Sequence, residues 1–496
     1  MMYDVIVIGS GISGACVARE LSRYRLRVAV LEKAPDLCSG ATRGNSATVH
    51  SGHDAAHGTL KAFYNVRGNA MYDALCSELS VPFTRNGTIL FATSEKDMET
   101  IAGLKQNADA NGVPDVQILD RNGLERLESG WGDAVCGGLY APTGGMVCPY
   151  TLCFALCENA AANGVSFLTD TRVTGISRTA EGYRLTTNRG EMNARFIFNC
   201  AGTHADEMNN FVSQEKFRII PRKGEHIILD RKLSPYVKAT LSQTPMDLPG
   251  GGHTKGMGIM PSVDHTVILG CDAHEVRDKD DASTTDVGLR DILTYFEKNW
   301  RHLPISRVYP TFPRHMVIGA FGGLRPHPEG DDFILGQPAD APGFYNMAGI
   351  ESPGVTAAPA IARDLVLQAA KTHHFEENPV FQPRHVCPKP FRDMTLAERE
   401  AAIRENPDYG QMVCRCEQVT RAEILDAIRR PLGARSVNGV KMRTRAGMGR
   451  CQGGFCSPEV VGILSQELGI PMTEVTQCGG HSNILACETC REETKA

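Results

Sequence analysis

The sequence predicts an α/β fold built on a parallel sheet, with an α+β insertion and a small helical, cysteine-bearing domain at the end. Three observations carry that prediction. The apolar run Asp4-Val5-Ile6-Val7-Ile8 enters Gly9-Ser10-Gly11-Ile12-Ser13-Gly14, and Ala15 to Arg23 then has the apolar spacing of a helix. A second apolar run, Val28-Ala29-Val30-Leu31, ends in Glu32, about where an acid belongs after a dinucleotide-binding strand, glycine loop and helix. Finally, Cys414, Cys416, Cys451, Cys456, Cys478, Cys487 and Cys490, out of 17 cysteines, crowd the C-terminal end.

Each element follows in order. Gly9 suits a tight turn, Gly11 the close approach of a pyrophosphate and Gly14 close helix-to-strand contact. Ile12 and Ser13 open the helix, whose N-terminus favours an anion, while Glu32, followed by Lys33, would hold ribose hydroxyls. Cys38 to Ser46 is too rich in turn formers for a helix, and its small residues, Thr42, Asn45 and Ser46 among them, let backbone lie against a flat ring. A helix from Thr59 to about Leu79 and a strand Gly87 to Ala92 come next. Thr143 to Tyr150 opens a helix reaching Asn163, Val165 to Leu168 returns as a strand, and residues 171 to 187, including Val173, alternate like a hairpin. Ala194 to Gly202 reads as a buried strand whose end, Ala201 and Gly202, is a natural second nucleotide contact. From Phe217 to about Phe321 strands joined by loops predict a separate substrate sheet. The chain returns through Phe344 to Gly354 to a helix from Thr356 to Ala370, which brings Gly349, Ser352, Gly354, Val355 and Thr356 to the nucleotide.

The expected division is a first domain over about 1–375, with nucleotide-binding parts at about 1–80, 145–210 and 320–375 and substrate parts at about 81–144 and 211–319. A proline- and charge-rich linker over 376–410, a cysteine domain over 411–470 and a tail over 471–496 complete it. Composition agrees with two or three domains: 496 residues, 42% of them hydrophobic, with 50 glycines. A net charge of −5 gives no electrostatic case for nucleic acid or an anionic membrane. The first strand starts at Tyr3, leaving no room for a signal peptide, and no apolar run reaches membrane length. These features predict a cytoplasmic protein with reduced cysteines.

The glycine loop with Glu32, Asn45-Ser46 through His50-Ser51-Gly52, Gly58 to Ala62, Pro221-Arg222-Lys223-Gly224-Glu225, Gly323-Leu324-Arg325-Pro326 and Gly349 to Gly354 together resemble FAD-dependent oxidoreductases of the D-amino-acid oxidase type. Within that superfamily they are most similar to glycerol-3-phosphate dehydrogenases and oxidases and to 2-hydroxyglutarate oxidases. The resemblance covers about residues 3 to 370 and implies a Rossmann-type FAD domain. It also implies oxidation of a CH–OH or amine carbon, with hydride passing to the flavin. By that resemblance His50 is the general base, with His53 behind it, and Arg325 is the substrate-anion arginine, equally suited to phosphate and carboxylate. Lys255 resembles a phosphate-binding lysine, and Ser352 would lie beside flavin and substrate.

Cys414-Arg415-Cys416 and Cys451 to Cys456 supply four thiolates in two close pairs, enough for a 2Fe-2S cluster, with a structural zinc as the alternative. Thr420 with Glu423 makes a capping box for a helix to about Arg429, and Ser457-Pro458 opens one to Leu468. With Thr444 to Gly449, this segment resembles the 2Fe-2S domain of bacterioferritin-associated ferredoxin. Cys478, Cys487 and Cys490 fall outside it and read as surface thiols, with a second metal site or a redox pair at Cys487 and Cys490 as the alternative. The two halves together predict a dehydrogenase that oxidises sn-glycerol 3-phosphate to dihydroxyacetone phosphate. Its electrons would leave through the cluster to a partner redox protein, a second flavoprotein subunit being one form of it. A 2-hydroxy acid or amino acid substrate, or an electron-transfer subunit fed by another chain, are the alternatives.

Overall fold

The computed structural model describes residues 2–247, 253–254 and 256–487, without the side chains of 246, 247, 253 and 254. It forms two compact units, one of Met1–Lys33 with Leu37–Cys387 and the other of Ala34–Asp36 with Pro388–Ala496.

The first unit holds two large sheets. In the eight-stranded one, Met2–Ile8 lies between Gly190–Asn199 and Val28–Leu31, both parallel to it, with Ile6 opposite Ile197 and Ala29. Phe344–Ala348 pairs in parallel with Gly190–Asn199, and Val173–Thr179 and Gly182–Thr187 make the hairpin at one edge. Val5, Ile6 and Val7 are fully buried, as a strand covered on both faces must be. Helix Ile12–Leu21 leaves Met2–Ile8 through the glycine loop. Gly9 adopts φ +99°, and a Cβ on Gly14 would come within 1.9 Å of the Gly9 carbonyl oxygen, so neither position accepts a side chain.

The second sheet has nine strands and is mostly antiparallel. Thr88–Ala92, Gly137–Ala141 and Gln117–Asp120 from the early chain join Thr240–Ser242, Gly258–Pro261, Val267–Gly270 and Ile219–Leu229 from the later chain. Val317–Pro328 pairs with Ile219–Leu229 along almost its whole length, so this sheet continues past residue 320. Helix Asp286–Asn299 packs Ile292, Tyr295 and Phe296 against it, with Trp300 following.

Four elements differ from expectation. The Thr59–Leu79 helix is two, Leu60–Asn69 and Tyr72–Glu78, broken at Ala70–Met71; near the end of the first, a Cβ on Gly68 would stand 2.0 Å from the Thr356 carbonyl oxygen. Ala41–Gly44 forms a 3₁₀ turn within the stretch read as irregular. The segment read as strands and loops contains helix Asp286–Asn299, capped by Thr285. The proline-rich linker contains helix Leu396–Glu405, whose Thr395 and Glu398 form a capping box.

In the second unit, Arg421–Arg429, Val437–Thr444 and Ser457–Leu468 pack Ile424, Leu425, Val440, Ile463 and Leu464 into one core. No helix among the described residues is long and apolar enough to cross a membrane.

Candidate active site and iron–sulfur site

A cleft of about 530 Å³ in the first unit is lined by strands of the nine-stranded sheet and by the loops and helix starts that follow strands of the eight-stranded one. Ile12, Thr42, Asn45, Ser46, His50, Arg325, Ser352, Gly354 and Val355 all border it, so nine of the expected residues meet around one space. Thr42 Oγ1 accepts the backbone N–H of Ile12 at 2.9 Å, and Asn45 Oδ1 accepts that of Ala47 at 2.7 Å. These bonds fold the small-residue stretch over the helix N-terminus.

His50 is held by its backbone. Its N–H donates to Thr356 Oγ1 at 2.9 Å, and its carbonyl accepts from Asn65 at 2.9 Å and Asn69 at 3.0 Å. The imidazole is thereby presented with Nε2 3.3 Å from Ser352 Oγ. His53, buried behind it, pairs through Nδ1 with Ser51 Oγ at 2.7 Å.

Arg325 lies opposite Arg222 in the strand pair, and its guanidinium donates to the Lys223 and Asp272 carbonyls at 3.3 and 3.1 Å and to Cys271 Sγ at 2.7 Å. A Cβ at Gly224 would stand 2.3 Å from that guanidinium. The glycine therefore lets the fork lie across the sheet, and carbonyl acceptors fix its plane without cancelling its charge.

Other expected residues lie elsewhere. Gly9, Gly11, Ser13, Gly14 and Glu32 sit at the nucleotide loop, where Glu32 accepts from Ser10 N at 2.9 Å and Ser10 Oγ at 2.6 Å. Lys33 pairs with Asp280 and, at 2.9 Å, with His204 Nε2. Ala201 and Gly202 follow the strand Gly190–Asn199, and Gly349 follows Phe344–Ala348. Val173 places its side chain in the core beneath the eight-stranded sheet, leaving only backbone for a ligand. Lys255 lies outside the described residues, although Gly256 borders the cleft.

Sequence reasoning missed an ion network at the cleft wall. Lys61 Nζ meets Glu351 at 2.7 Å and Asp331 at 3.2 Å, and His327 Nδ1 lies 2.9 Å from the same Glu351 oxygen. His327, Asp331 and Glu351 would suit a metal, but the lysine ammonium already supplies the positive charge. Burial tends to raise the Glu351 carboxyl, yet the His327 hydrogen bond and Lys61 outweigh it and hold it at about 2. This anchors the residue just before Ser352. Partners 290 and 24 residues away gave no local signal.

The architecture fits FAD: a glycine turn that excludes Cβ atoms, a helix N-terminus at Ile12 and an acid ending the second strand.

In the second unit Cys416 Sγ lies 3.5 Å from Cys451 Sγ, and the thiols of Cys414 and Cys456 hydrogen-bond each other. The bond from Cys456, with backbone N–H groups of Gly447 and Glu417, outweighs burial and lowers the Cys414 thiol to about 6. Cys451 receives the N–H groups of Phe455 and Gly453. Among the described residues, the trio of ligand atoms mutually within 4.8 Å is His327, Asp331 and Glu351, with no three of these sulfurs so close. A tetrahedral zinc would draw its sulfurs to about 3.8 Å from one another. Two sulfur pairs served by backbone donors fit the two irons of a 2Fe-2S cluster instead. Cys456 is also the N-cap of helix Ser457–Leu468, where the helix dipole favours an anionic cluster. Cys478 and Cys487 are exposed, and Cys490 lies outside the described residues.

Comparison with known proteins agrees with this geometry. Residues 4–367 match the model of the FAD dependent oxidoreductase family, and the chain belongs to that family. Residues 412–466 match the BFD-like [2Fe-2S] binding domain. Among individual relatives, the glycerol 3-phosphate dehydrogenase of Caloramator mitchellensis is 41% identical over 99% of this chain and 100% of its own. The L-2-hydroxyglutarate dehydrogenase of Escherichia coli O17:K52:H18 (strain UMN026 / ExPEC) is 30% identical over 46% of this chain and 54% of its own. The structure of dithionite-reduced L-alpha-glycerophosphate oxidase from Mycoplasma pneumoniae with FAD bound superposes with a TM-score of 0.71 at 26% identity, covering 78% of this chain and 100% of that one. The protein is thus an FAD-dependent oxidoreductase with a 2Fe-2S domain.

Proposed function

We propose that the protein is a dehydrogenase that oxidises sn-glycerol 3-phosphate to dihydroxyacetone phosphate and delivers the electrons to a separate redox protein. The observation that carries this reading is the meeting of His50 and Arg325 in one cleft of the FAD-binding unit. The full-length similarity to a glycerol 3-phosphate dehydrogenase supports it.

Bound FAD supplies a two-electron hydride acceptor, and a bound 2Fe-2S cluster supplies a one-electron outlet. Gly9, Gly11, Gly14, Ile12, Ser13 and Glu32 would hold the dinucleotide, and Cys414, Cys416, Cys451 and Cys456 the cluster. His50 Nε2 accepts the proton of the substrate's secondary hydroxyl as that carbon loses its hydrogen, and Ser352 Oγ orients the ring. Arg325, its plane fixed by two carbonyls, grips the phosphate and sets the distance from the anion to the reacting carbon. Lys255 adds a second positive charge. Val173, Ala201, Gly202, Gly349, Gly354, Val355 and Thr356 complete the flavin's surroundings, with Lys33, Thr42, Asn45 and Ser46. The 1–375 and 411–470 division assigns oxidation to the first part and electron exit to the second. The electron acceptor meets the loop from Gln452 to Phe455, whose aromatic ring is 84% exposed between two of the cysteines. A cytoplasmic setting, where thiols stay reduced, accords with the cysteine-rich composition.

The test is an anaerobic absorbance titration of the purified holoprotein. Bleaching of flavin and cluster bands by glycerol 3-phosphate, and not by 2-hydroxyglutarate, is expected. The reverse result would give Arg325 to a carboxylate and overturn the phosphate reading.

A further inference from the structure

One side chain bordering the cleft has no part in the reaction as derived. His226 lies in the strand Ile219–Leu229, 2% exposed, with its ring stacked on Phe321 at 4.8 Å and 8°. Neither ring nitrogen has a hydrogen-bond partner among the described residues. Such an unpaired buried group is costly, and native proteins keep it where a ligand or water meets it.

The strand pairing shows what surrounds the ring. Arg222, Gly224 and His226 alternate onto the face that borders the cleft. Arg325 lies opposite Arg222 and Phe321 opposite His226, and the Arg325 guanidinium reaches over Gly224. The imidazole therefore stands beside the guanidinium on one face. On its other side Gly270 is its register partner, and a Cβ there would stand 2.9 Å from the ring's Cδ2, so the glycine makes room for the imidazole at the cleft wall.

We propose that His226 is a substrate-binding residue, one ring nitrogen of which hydrogen-bonds an oxygen of the anionic substrate that Arg325 holds. This rests on the reading of the cleft as the site of glycerol 3-phosphate. Burial, reinforced by the charge of Arg325, holds the His226 ring at about 3, so it is neutral at working pH. A neutral ring adds a donor or an acceptor beside the guanidinium without the repulsion of a second cation. It thus suits a ligand carrying both an anion and hydroxyl groups.

The test compares holoenzyme carrying His226→Phe, His226→Leu and His226→Gln with wild type. The apolar residues remove the ring nitrogens, and Gln keeps a donor and an acceptor. Dissociation constants are read from the concentration dependence of anaerobic flavin bleaching by glycerol 3-phosphate, and from the flavin spectral change with inorganic phosphate. An increase of about 10- to 100-fold is expected in the apolar variants, with partial recovery in His226→Gln. Their thermal midpoints should not fall, because the unpaired polar group is gone. Unchanged dissociation constants in both apolar variants, with a wild type that glycerol 3-phosphate bleaches, would overturn the role of His226 alone. A wild type that glycerol 3-phosphate does not bleach would overturn the substrate reading and this assignment with it.

Discussion

The nucleotide loop and the cleft are built by opposite means. The loop is shaped by absence: Gly9, Gly11 and Gly14 carry no side chains, which leaves backbone and a helix end at its surface. The cleft works by presence, with His50, Arg325, His226 and Lys61 brought from segments far apart in the chain. The difference teaches where each is vulnerable. An added atom breaks the loop, whereas the cleft breaks when a partner is removed.

The largest effect should therefore come from the smallest addition. Gly14→Val would drive a branched side chain into the Gly9 carbonyl, 1.9 Å from the Cβ position, and should yield protein without flavin absorbance. Cys456→Ser should abolish the cluster's absorbance and acceptor reduction while flavin bleaching by substrate persists, separating the two cofactors.

In the cleft, Arg325→Lys keeps the charge and loses the planar fork. A fall of about 100-fold in kcat/KM is expected from steady-state kinetics, and a change below threefold would show that charge alone suffices. Glu351→Gln tests the ion network through pH. The native carboxyl sits at about 2 against an ordinary 4.5. Its stabilisation is thus full above about pH 4.5 and lost as pH falls through 2. The variant should lose up to about 3 kcal/mol at neutral pH and show a flatter acid limb in denaturant melts. The smallest effect is local: Thr420→Ala removes one half of a capping box and should cost about 1 kcal/mol, read as earlier thermal loss of the cluster bands.

What was legible follows the same division. Met2–Ile8, the glycine loop and Val28–Leu31 appear in the sequence almost as in the structure, because each is specified within a dozen residues. So do the four cysteines and the helix Ser457–Leu468 ending at Gly469. Helix Asp286–Asn299 escaped notice inside a segment dominated by strands, and helix Leu396–Glu405 inside one dominated by prolines and charge. In both, the residues flanking the helix masked its own capping signals. Lys61 was read only as part of a motif, since its partners Glu351 and Asp331 lie some 270 residues or more away.

Local pattern by itself thus determined the α/β class, the dinucleotide loop and the paired thiol motif, since strand periodicity, glycine sterics and ligand spacing act over short stretches. Only tertiary structure decided that Gly224 clears a place for Arg325, that His226 stands beside it without a partner among the described residues, and that Lys61 braces Glu351 at the cleft wall. Those relations depend on strand register and on side chains meeting across the fold, which no local pattern encodes.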